Sequence, residues 1–479
     1  MEKFKTSGTF DRIFFVLTLL ICVSLPLSYL LTNADFRPAA LIFFGLFGIL
    51  LVELITEYTG KLEFFFLFII IALSFHGFSS FPGSNFTEVN NYIILGVLYS
   101  LLSVIYLFDA DKRKISPGLS SLDKLLLLAA FIFFIVSVLY NSQDLMTLKG
   151  AGKLAVIFFG GFVVSGFLSG VLLKDRNTLD IFLKGLVYFG IAAGLYGFAT
   201  MVNHSLNSFN QYPGYAISFF KHPNATSSIY NFTIPPALYF LIFRKQDVSA
   251  IEKVIFGFGI FLMTFNVLFT FSRIGILSVA LIFIIMMFGY SRKVFYAMLA
   301  IIPGLIYFVL LGFLTSKGAS TAIGRVGLLA TTIEMFTSSS NGQMWGYGTT
   351  STIEIFERTK YSLKVTDLNN VPHNFIMYFI LQFGLFVTVP LFLFIFRIFG
   401  KAASRIFKMT GDPVLVMSAA VCYSIVSKNM FEDLLFFPEF ILFHLFLIFF
   451  GFMIFLTGKN APEYSSDFYL KHEPTELRA

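Results

Sequence analysis

The chain has 479 residues, of which 57% are hydrophobic and only 13% are charged, and its mean hydropathy is +0.82. Soluble domains carry about 25% charged residues, so this composition excludes a soluble globular protein. The net charge of +7 comes mostly from Lys and Arg in short segments between apolar runs, where such residues orient a membrane protein. We therefore expect membrane lipids, and no nucleic acid, as partners of the chain.

Fourteen apolar segments are candidate membrane spans, since about 20 residues are needed to cross about 30 Å of hydrocarbon. In chain order they cover residues 13–32, 38–55, 63–80, 91–108, 123–140, 154–173, 180–202, 228–243, 254–271, 274–290, 295–314, 374–397, 413–428 and 434–456. None alternates like a barrel strand, so the segments should be helices. The expected fold class is all-α: a polytopic transmembrane helical bundle of about 12–14 spans with one long extracytoplasmic loop subdomain.

The charges of the loops predict how this bundle is oriented. With the N-terminus inside, 23 of the 34 Lys and Arg residues fall on the inner side and 11 on the outer side. The positive-inside rule then places both termini in the cytoplasm and makes the less basic side the outer face of a cytoplasmic membrane.

The chain divides by composition into four parts. Residues 1–202 hold N-terminal transmembrane helices, 203–400 a core transmembrane region, 401–458 C-terminal transmembrane helices and 459–479 a cytoplasmic tail. The core region includes an extracytoplasmic loop at 315–372, and loops of this length are usually functional or disordered. Within that loop, residues 323–336 have apolar positions at helical spacing and predict an amphipathic helix on the membrane surface.

Three polar clusters fall on the outer side: Lys221-His222-Pro223-Asn224, Ser272-Arg273 and His373-Asn374. Basic and imidazole groups are costly near lipid, so their occurrence together suggests a site for an anionic substrate. Arginine suits bidentate contacts to phosphate, and histidine can accept a proton near neutral pH. The alternatives are a snorkelling Arg273, an ordinary polar loop at 221–224 and a helix-starting hydrogen bond by His373. The two cysteines, Cys22 and Cys422, lie far apart in apolar runs and lack metal-ligand spacing, so neither a zinc site nor a disulfide is expected.

A series of motifs gives the chain a family resemblance. Gly214 and His222-Pro223-Asn224 are followed by Ser272-Arg273, Arg325, Gly346-Tyr347-Gly348 and His373-Asn374 with Gly384-Leu385. This order, with the long loop between Ser272-Arg273 and His373-Asn374, resembles the O-antigen ligase and O-antigen polymerase superfamily over roughly residues 200–400. Each motif alone is unspecific, and their order carries the resemblance.

The resemblance implies a bacterial inner-membrane glycosyltransferase that uses neither a metal nor another cofactor. Its donor would be a glycan linked to undecaprenyl diphosphate, and its acceptor a sugar hydroxyl on the outer face. Arg273 and Arg325 would hold the diphosphate, and His373 would activate or position the acceptor hydroxyl. Asn224 and Asn374 complete the expected substrate-binding set, together with Lys221. Members of the family often have an arginine shortly before the Pro-Asn motif, whereas the nearest cation in this chain is Lys221. A lysine is a point charge and cannot make the paired hydrogen bonds of a guanidinium.

Three functions stay open at this point. A polymerase would pass the growing chain to a lipid-linked repeat unit, with a chain-length regulator as a further partner. The large number of expected spans favours this reading over a ligase, which would pass the glycan to lipid A-core. A flippase or other transporter of lipid-linked glycans is the third reading. Such a transporter would need polar residues deep in its spans, where this sequence has few charges, with Glu53, His76 and Lys184 as exceptions.

Overall fold

The computed structural model describes residues 95–96, 99–100, 103, 118–174, 176–203, 214–218, 223–299, 304, 316–365, 372–408, 412–431 and 441–458. All of them belong to one compact unit, Ile70–Ala479. Within this described part the regular structure is helical, and the protein is an all-α polytopic membrane protein. Its helices are α1 (Ser121–Tyr140), α2 (Gln143–Met146), α3 (Leu148–Val163), α4 (Ser169–Lys174), α5 (Arg176–Val202), α6 (Pro223–Ile242), α7 (Ala250–Phe269), α8 (Arg273–Tyr290), α9 (Arg292–Leu299), α10 (Ser316–Thr337), α11 (Ser340–Trp345), α12 (Ser351–Ser362), α13 (Phe375–Phe407), α14 (Pro413–Asn429) and α15 (Ile441–Thr457), with a π-helical turn, Val164–Leu168, joining α3 to α4.

Six of the described segments are long and apolar enough to cross a membrane. They are Ser121–Tyr140, Gly150–Lys174, Arg176–Val202, Ala250–Phe269, Arg273–Tyr290 and Phe375–Phe407. Two shorter apolar helices, Pro413–Asn429 and Leu442–Thr457, pack among them. Most of these coincide with predicted spans, because a long apolar run has no stable alternative to a helix in lipid. The predicted spans 13–32, 38–55 and 63–80, and most of 91–108 and 295–314, lie outside the described residues.

Helix α6 is the centre of the described bundle and packs against α5, α7, α8 and α14. Seventeen of its 20 residues are buried, including the polar run Thr226-Ser227-Ser228 and Asn231. The predicted span began only at 228, because the preceding residues are polar. The helix begins five residues earlier, at Pro223, where proline suits the first helical position. Neighbouring helices supply hydrogen-bond partners for two of these residues, because Lys428 of α14 donates to Ser227 Oγ at 2.5 Å and Ser278 Oγ of α8 donates to Asn231 Oδ1 at 3.0 Å.

Ion pairs gather at one end of the bundle, which we call the basic end, where α1 and α14 begin and α6, α8, α13 and α15 finish. Asp123 in α1 is fully buried there and binds Arg397 at 3.0 Å and Lys401. A buried carboxylate needs such partners, since an unpaired one would be costly. Arg405 at this end donates to the carbonyl of Leu456. These contacts hold α1, α13 and α15 together.

A small helical subdomain, α10 to α12, lies at the opposite end of α1 and at the start of α13. Its core contains Leu328 and Met335 of α10 with Phe356 of α12, packed against Leu381 of α13. The amphipathic segment predicted at 323–336 is part of α10. One side of α10 carries Leu328 and Met335 and packs on protein. Another side carries Val326, Leu329 and Ile333, which are exposed. That this exposed side rests on a membrane surface stays a prediction.

Candidate functional site

Arg273 is the first residue of α8 and follows a tight turn after α7. Ser272 caps the helix, because its hydroxyl accepts a hydrogen bond from the Gly275 N–H at 3.1 Å. The backbone N–H of Ser272 in turn donates to Thr270 Oγ1 at 3.2 Å. Phe271 between them has φ of 51°, a left-handed conformation that non-glycine residues seldom adopt. The turn therefore holds the half-buried Arg273 at the very end of the bundle.

His373 lies immediately before Asn374, the N-cap of α13. The Asn374 amide oxygen accepts from the N–H groups of Ile376 and Met377 at 3.0 and 3.1 Å. Its amide nitrogen donates to the carbonyl of Met430, just after α14, at 2.9 Å. Asn374 thus ties the start of α13 to the end of α14 and places the half-buried His373 beside that junction. A substrate contact by Asn374 stays a prediction.

Asn224 lies in the first turn of α6, and its backbone carbonyl is held by a lysine from α14. Lys428 Nζ donates to the Asn224 carbonyl at 2.6 Å and to Ser227 Oγ at 2.5 Å. Lys428 is fully buried. Of the predicted substrate-binding residues in this segment, Lys221 lies outside the described residues, as does His222.

The starts of α6, α8 and α13 therefore meet around the end of α14. Lys428 joins α14 to α6, and Asn374 joins α13 to Met430. Helices α6 and α8 are in close contact at Gly275, where a side chain would not fit: a Cβ there would lie 2.7 Å from the side chain of Ser227. Three of the predicted polar clusters, represented by Asn224, Arg273 and His373, are thus brought to one end of the bundle, opposite the basic end. Each helix start also contributes the positive end of a helix dipole.

Arg325 belongs to the loop subdomain rather than to this helix junction. It is half-buried on α10, and its buried Nε has no hydrogen-bond partner among the residues that the structure describes. Its link to the junction passes through Leu328 and Met335, which pack with Leu381 of α13.

The Gly346-Tyr347-Gly348 turn fastens the subdomain to α13 at a break in that helix. The N–H groups of Tyr347 and Gly348 donate to the carbonyls of Leu381 and Gln382 at 2.8 and 3.0 Å. Gly346 and Gly384 both have φ of 75°, and a Cβ on either would clash with the backbone opposite. The two glycine motifs noted in the sequence are therefore two sides of one close contact.

Two residues that organise this region escaped the sequence analysis. Lys428 is the last residue of the predicted span 413–428 and received no role there. Asp144, between α1 and α3, accepts from the N–H groups of Thr349 and Thr350 at 2.7 and 2.9 Å and from the Thr350 hydroxyl. A signal for Lys428 was present, because it is a cation at a helix end on the side that is otherwise poor in Lys and Arg.

The chain was compared with known proteins. The family model described as O-antigen ligase matches residues 258–392, which is less than a third of the 479 residues. The match includes Ser272-Arg273, Arg325, Gly346-Tyr347-Gly348 and His373-Asn374, and it leaves Asn224 and Lys428 outside. A search of curated proteins found no match to the chain.

Proposed function

We propose that the chain is a member of the O-antigen ligase and polymerase superfamily, as the family match over residues 258–392 supports, and that it transfers an undecaprenyl-diphosphate-linked glycan to a sugar hydroxyl. A membrane glycosyltransferase activity of the ligase or polymerase type is what the family match supports broadly. The more specific parts of the proposal are the donor, the outer face of the bacterial inner membrane and the absence of a metal from the reaction.

The observation that carries the proposal is the meeting of α6, α8 and α13 at the end of α14. It brings Arg273, His373 and the first turn of α6 to one end of a bundle whose ion-pair cluster lies at the other. Three helix starts and an arginine create a region of positive potential, which suits a diphosphate. The imidazole stands at the same junction, where an acceptor hydroxyl could meet the donor.

In the proposed reaction, the acceptor oxygen forms a bond to the anomeric carbon while the bond from that carbon to the phosphate oxygen breaks. His373 accepts the proton that the hydroxyl loses. The lipid diphosphate leaves with the bonding electrons, and Arg273 and Arg325 stabilise its developing negative charge. The energy is stored in the donor's glycosyl phosphate bond, so no nucleotide is consumed.

The test is glycan transfer by purified protein supplied with a lipid-linked donor. Arg273→Ala should lower the rate about 10²–10³-fold, the usual effect of removing one group that stabilises a developing anion. Arg273→Lys should recover little, since an ammonium cannot make the paired hydrogen bonds. Arg358→Ala is the matched control, because Arg358 is an exposed arginine of α12 that pairs only locally with Glu354. Nearly full activity of Arg273→Lys would show that Arg273 is merely an interfacial anchor.

We propose that the reaction is the polymerisation of surface-polysaccharide repeat units, because the number of membrane spans predicted from the sequence is large. A polymerase should use a lipid-linked repeat unit as acceptor and cooperate with a chain-length regulator. A ligase should use lipid A-core instead. Supplying each acceptor to the same preparation separates these two functions, and transport of intact donor without transfer would indicate a flippase.

A further inference from the structure

Lys428 occupies a position where a lysine is unusual. It lies in the last turn of α14 and is fully buried, although lysine is normally exposed or extends its ammonium to water. Burying an ammonium is costly unless hydrogen bonds compensate for the lost water. Here the ammonium donates to the Asn224 carbonyl at 2.6 Å and to Ser227 Oγ at 2.5 Å. A hydrophobic side chain would fill this place without that cost, so the charge calls for an explanation.

The groups that Lys428 binds belong to the first turn of α6. The Asn224 carbonyl also accepts from Ser227 Oγ and Ser228 Oγ, both at 2.9 Å. One carbonyl thus receives an ammonium and two hydroxyls, which holds the start of α6 against the end of α14. Bonds to a charged donor are roughly twice as strong as neutral ones.

Contacts of Lys428 and of this turn reach the neighbours of both proposed functional residues, Arg273 and His373. Ser227 packs on Gly275, one half-turn after Arg273, so the start of α8 rests on the residue that Lys428 binds. Two residues after Lys428, the Met430 carbonyl accepts from Asn374, next to His373. Lys428 therefore stands between the helix start that carries Arg273 and the helix start that follows His373.

We propose that Lys428 is a positioning residue, which sets the spacing between Arg273 and His373 by holding the first turn of α6 on the end of α14. This inference rests on the proposed function, because it concerns the alignment of the diphosphate-binding arginine with the acceptor-activating histidine. Misplacing catalytic groups by about 1 Å can lower a rate about 10²-fold. Loss of the ammonium should therefore affect turnover beyond any effect on folding.

The experiment measures kcat and donor KM for folded, monodisperse protein. Lys428→Met keeps the length of the side chain and removes the charge, and it should lower kcat/KM about 10²-fold, mainly through kcat. Ser227→Ala removes one of the two bonds and should cause a smaller loss of the same kind. In the double variant, the Ser227→Ala change should add little, because its partner is already gone. Lys401→Met is the control, since it removes an ammonium that binds Asp123 at the basic end.

A merely structural role would reduce the yield of folded Lys428→Met while leaving kcat and KM of the folded fraction at the wild-type values, and this would overturn the inference. If Lys428→Met yields no folded protein, Ser227→Ala decides in its place: unchanged kinetics contradict positioning and reduced kcat supports it. Arg273→Ala in the same assay distinguishes a failure of the proposed function from a failure of the positioning role of Lys428. Full activity of the Arg273→Ala variant would contradict the proposed function itself. An inactive Arg273→Ala variant together with a fully active Lys428→Met variant would contradict only the positioning role of Lys428.

Discussion

Side chains at the helix junction divide into those that bind protein groups and those proposed to meet substrate. Ser272 and Asn374 cap α8 and α13, and their polar atoms bind backbone groups. Arg273 and His373 are the neighbours of these caps. The caps fix where each helix begins, and therefore where the adjacent functional side chain stands. In each pair, Ser-Arg and His-Asn, a helix-capping residue stands beside a residue of proposed chemical function, and the predicted substrate contact of Asn374 would be additional to its capping role.

At the residue scale, His373→Ala should lower glycan transfer about 10²–10⁴-fold, which is the usual contribution of a general base. The variant should still bind the lipid-linked donor, because we propose that arginines, and not the imidazole, hold the diphosphate. Rate and donor affinity can be measured on the same purified protein. A chelator should leave the wild-type rate unchanged.

Two results would contradict this assignment. Near-normal turnover by His373→Ala would reduce the residue to a helix-start hydrogen-bonder. Strong inhibition by the chelator would reveal a metal requirement that the proposed mechanism does not contain.

Among the structural elements, α13 has the most varied role. Its first turn joins the end of α14, its break at Gly384 receives the glycine turn of the loop subdomain, and its last turns carry Arg397 and Lys401 to Asp123. One helix thereby connects the site, the subdomain and the basic end. A second attachment of the subdomain is at the end of α1, where Ser137 and Asn141 donate hydrogen bonds to the Trp345 carbonyl at 2.7 and 3.2 Å.

At the element scale, Asp144→Ala should loosen the subdomain, because Asp144 binds the backbone ahead of α12. The change leaves the N–H groups of Thr349 and Thr350 without that acceptor, at a cost of about 1–3 kcal/mol for each one that stays buried. Hydrogen exchange at residues 340–362 should accelerate, and glycan transfer should fall because Arg325 lies in the same subdomain.

Glu354→Gln is the matched control for this change. It removes a carboxylate from α12 that is 65% exposed and pairs with Arg358 on the surface. Exposed pairs contribute about 0–1 kcal/mol, so exchange and activity should stay close to wild type. Unchanged exchange in Asp144→Ala would show that the glycine turn and the bonds from Ser137 and Asn141 hold the subdomain without Asp144.

The protein is a multi-pass membrane protein, and the part of it that the structure describes has two unlike ends. Asp123, Arg397, Lys401 and Arg405 mark one end, and the junction of α6, α8, α13 and α14 marks the other. We propose that the basic end faces the cytoplasm, as the positive-inside rule indicates. The glycosyl transfer would then take place on the outer face.

At this scale the prediction is one of orientation. In a background without Cys22 and Cys422, single cysteines at Ser340 and Ser208 should react with an impermeant thiol reagent in intact cells. Cysteines at Ser404 and Arg113 should react only after the membrane is opened. Ser340 and Ser404 are both exposed, so a difference between them reports the side of the membrane rather than burial. Labelling of Ser404→Cys in intact cells would reverse the orientation and exclude an outer-face reaction.

Much of the fold follows from the sequence, because hydropathy is a local property. A run of about 20 apolar residues must form a helix in lipid whatever its neighbours are. The predicted spans near α1, α5, α7 and α8 therefore agree closely with the observed helices. The start of α6 differs, since Asn224 to Ser227 look like loop residues until the helices that surround them are known.

The sequence by itself determined the helical membrane fold and the positions of the polar clusters along the chain, and the order of its motifs indicated a resemblance to the O-antigen ligase and polymerase superfamily, which the family match over residues 258–392 supports. Only the tertiary structure decided which residues hold those clusters together. Lys428 and Asn224 are 204 residues apart, and Asp144 and Thr350 are 206 apart. A single sequence contains no local pattern for such pairs, because a lysine at the end of a helix and an aspartate in a short connecting segment are each ordinary. Their significance arises when folding buries them against the backbone of a distant helix, where each hydrogen bond must replace one to water.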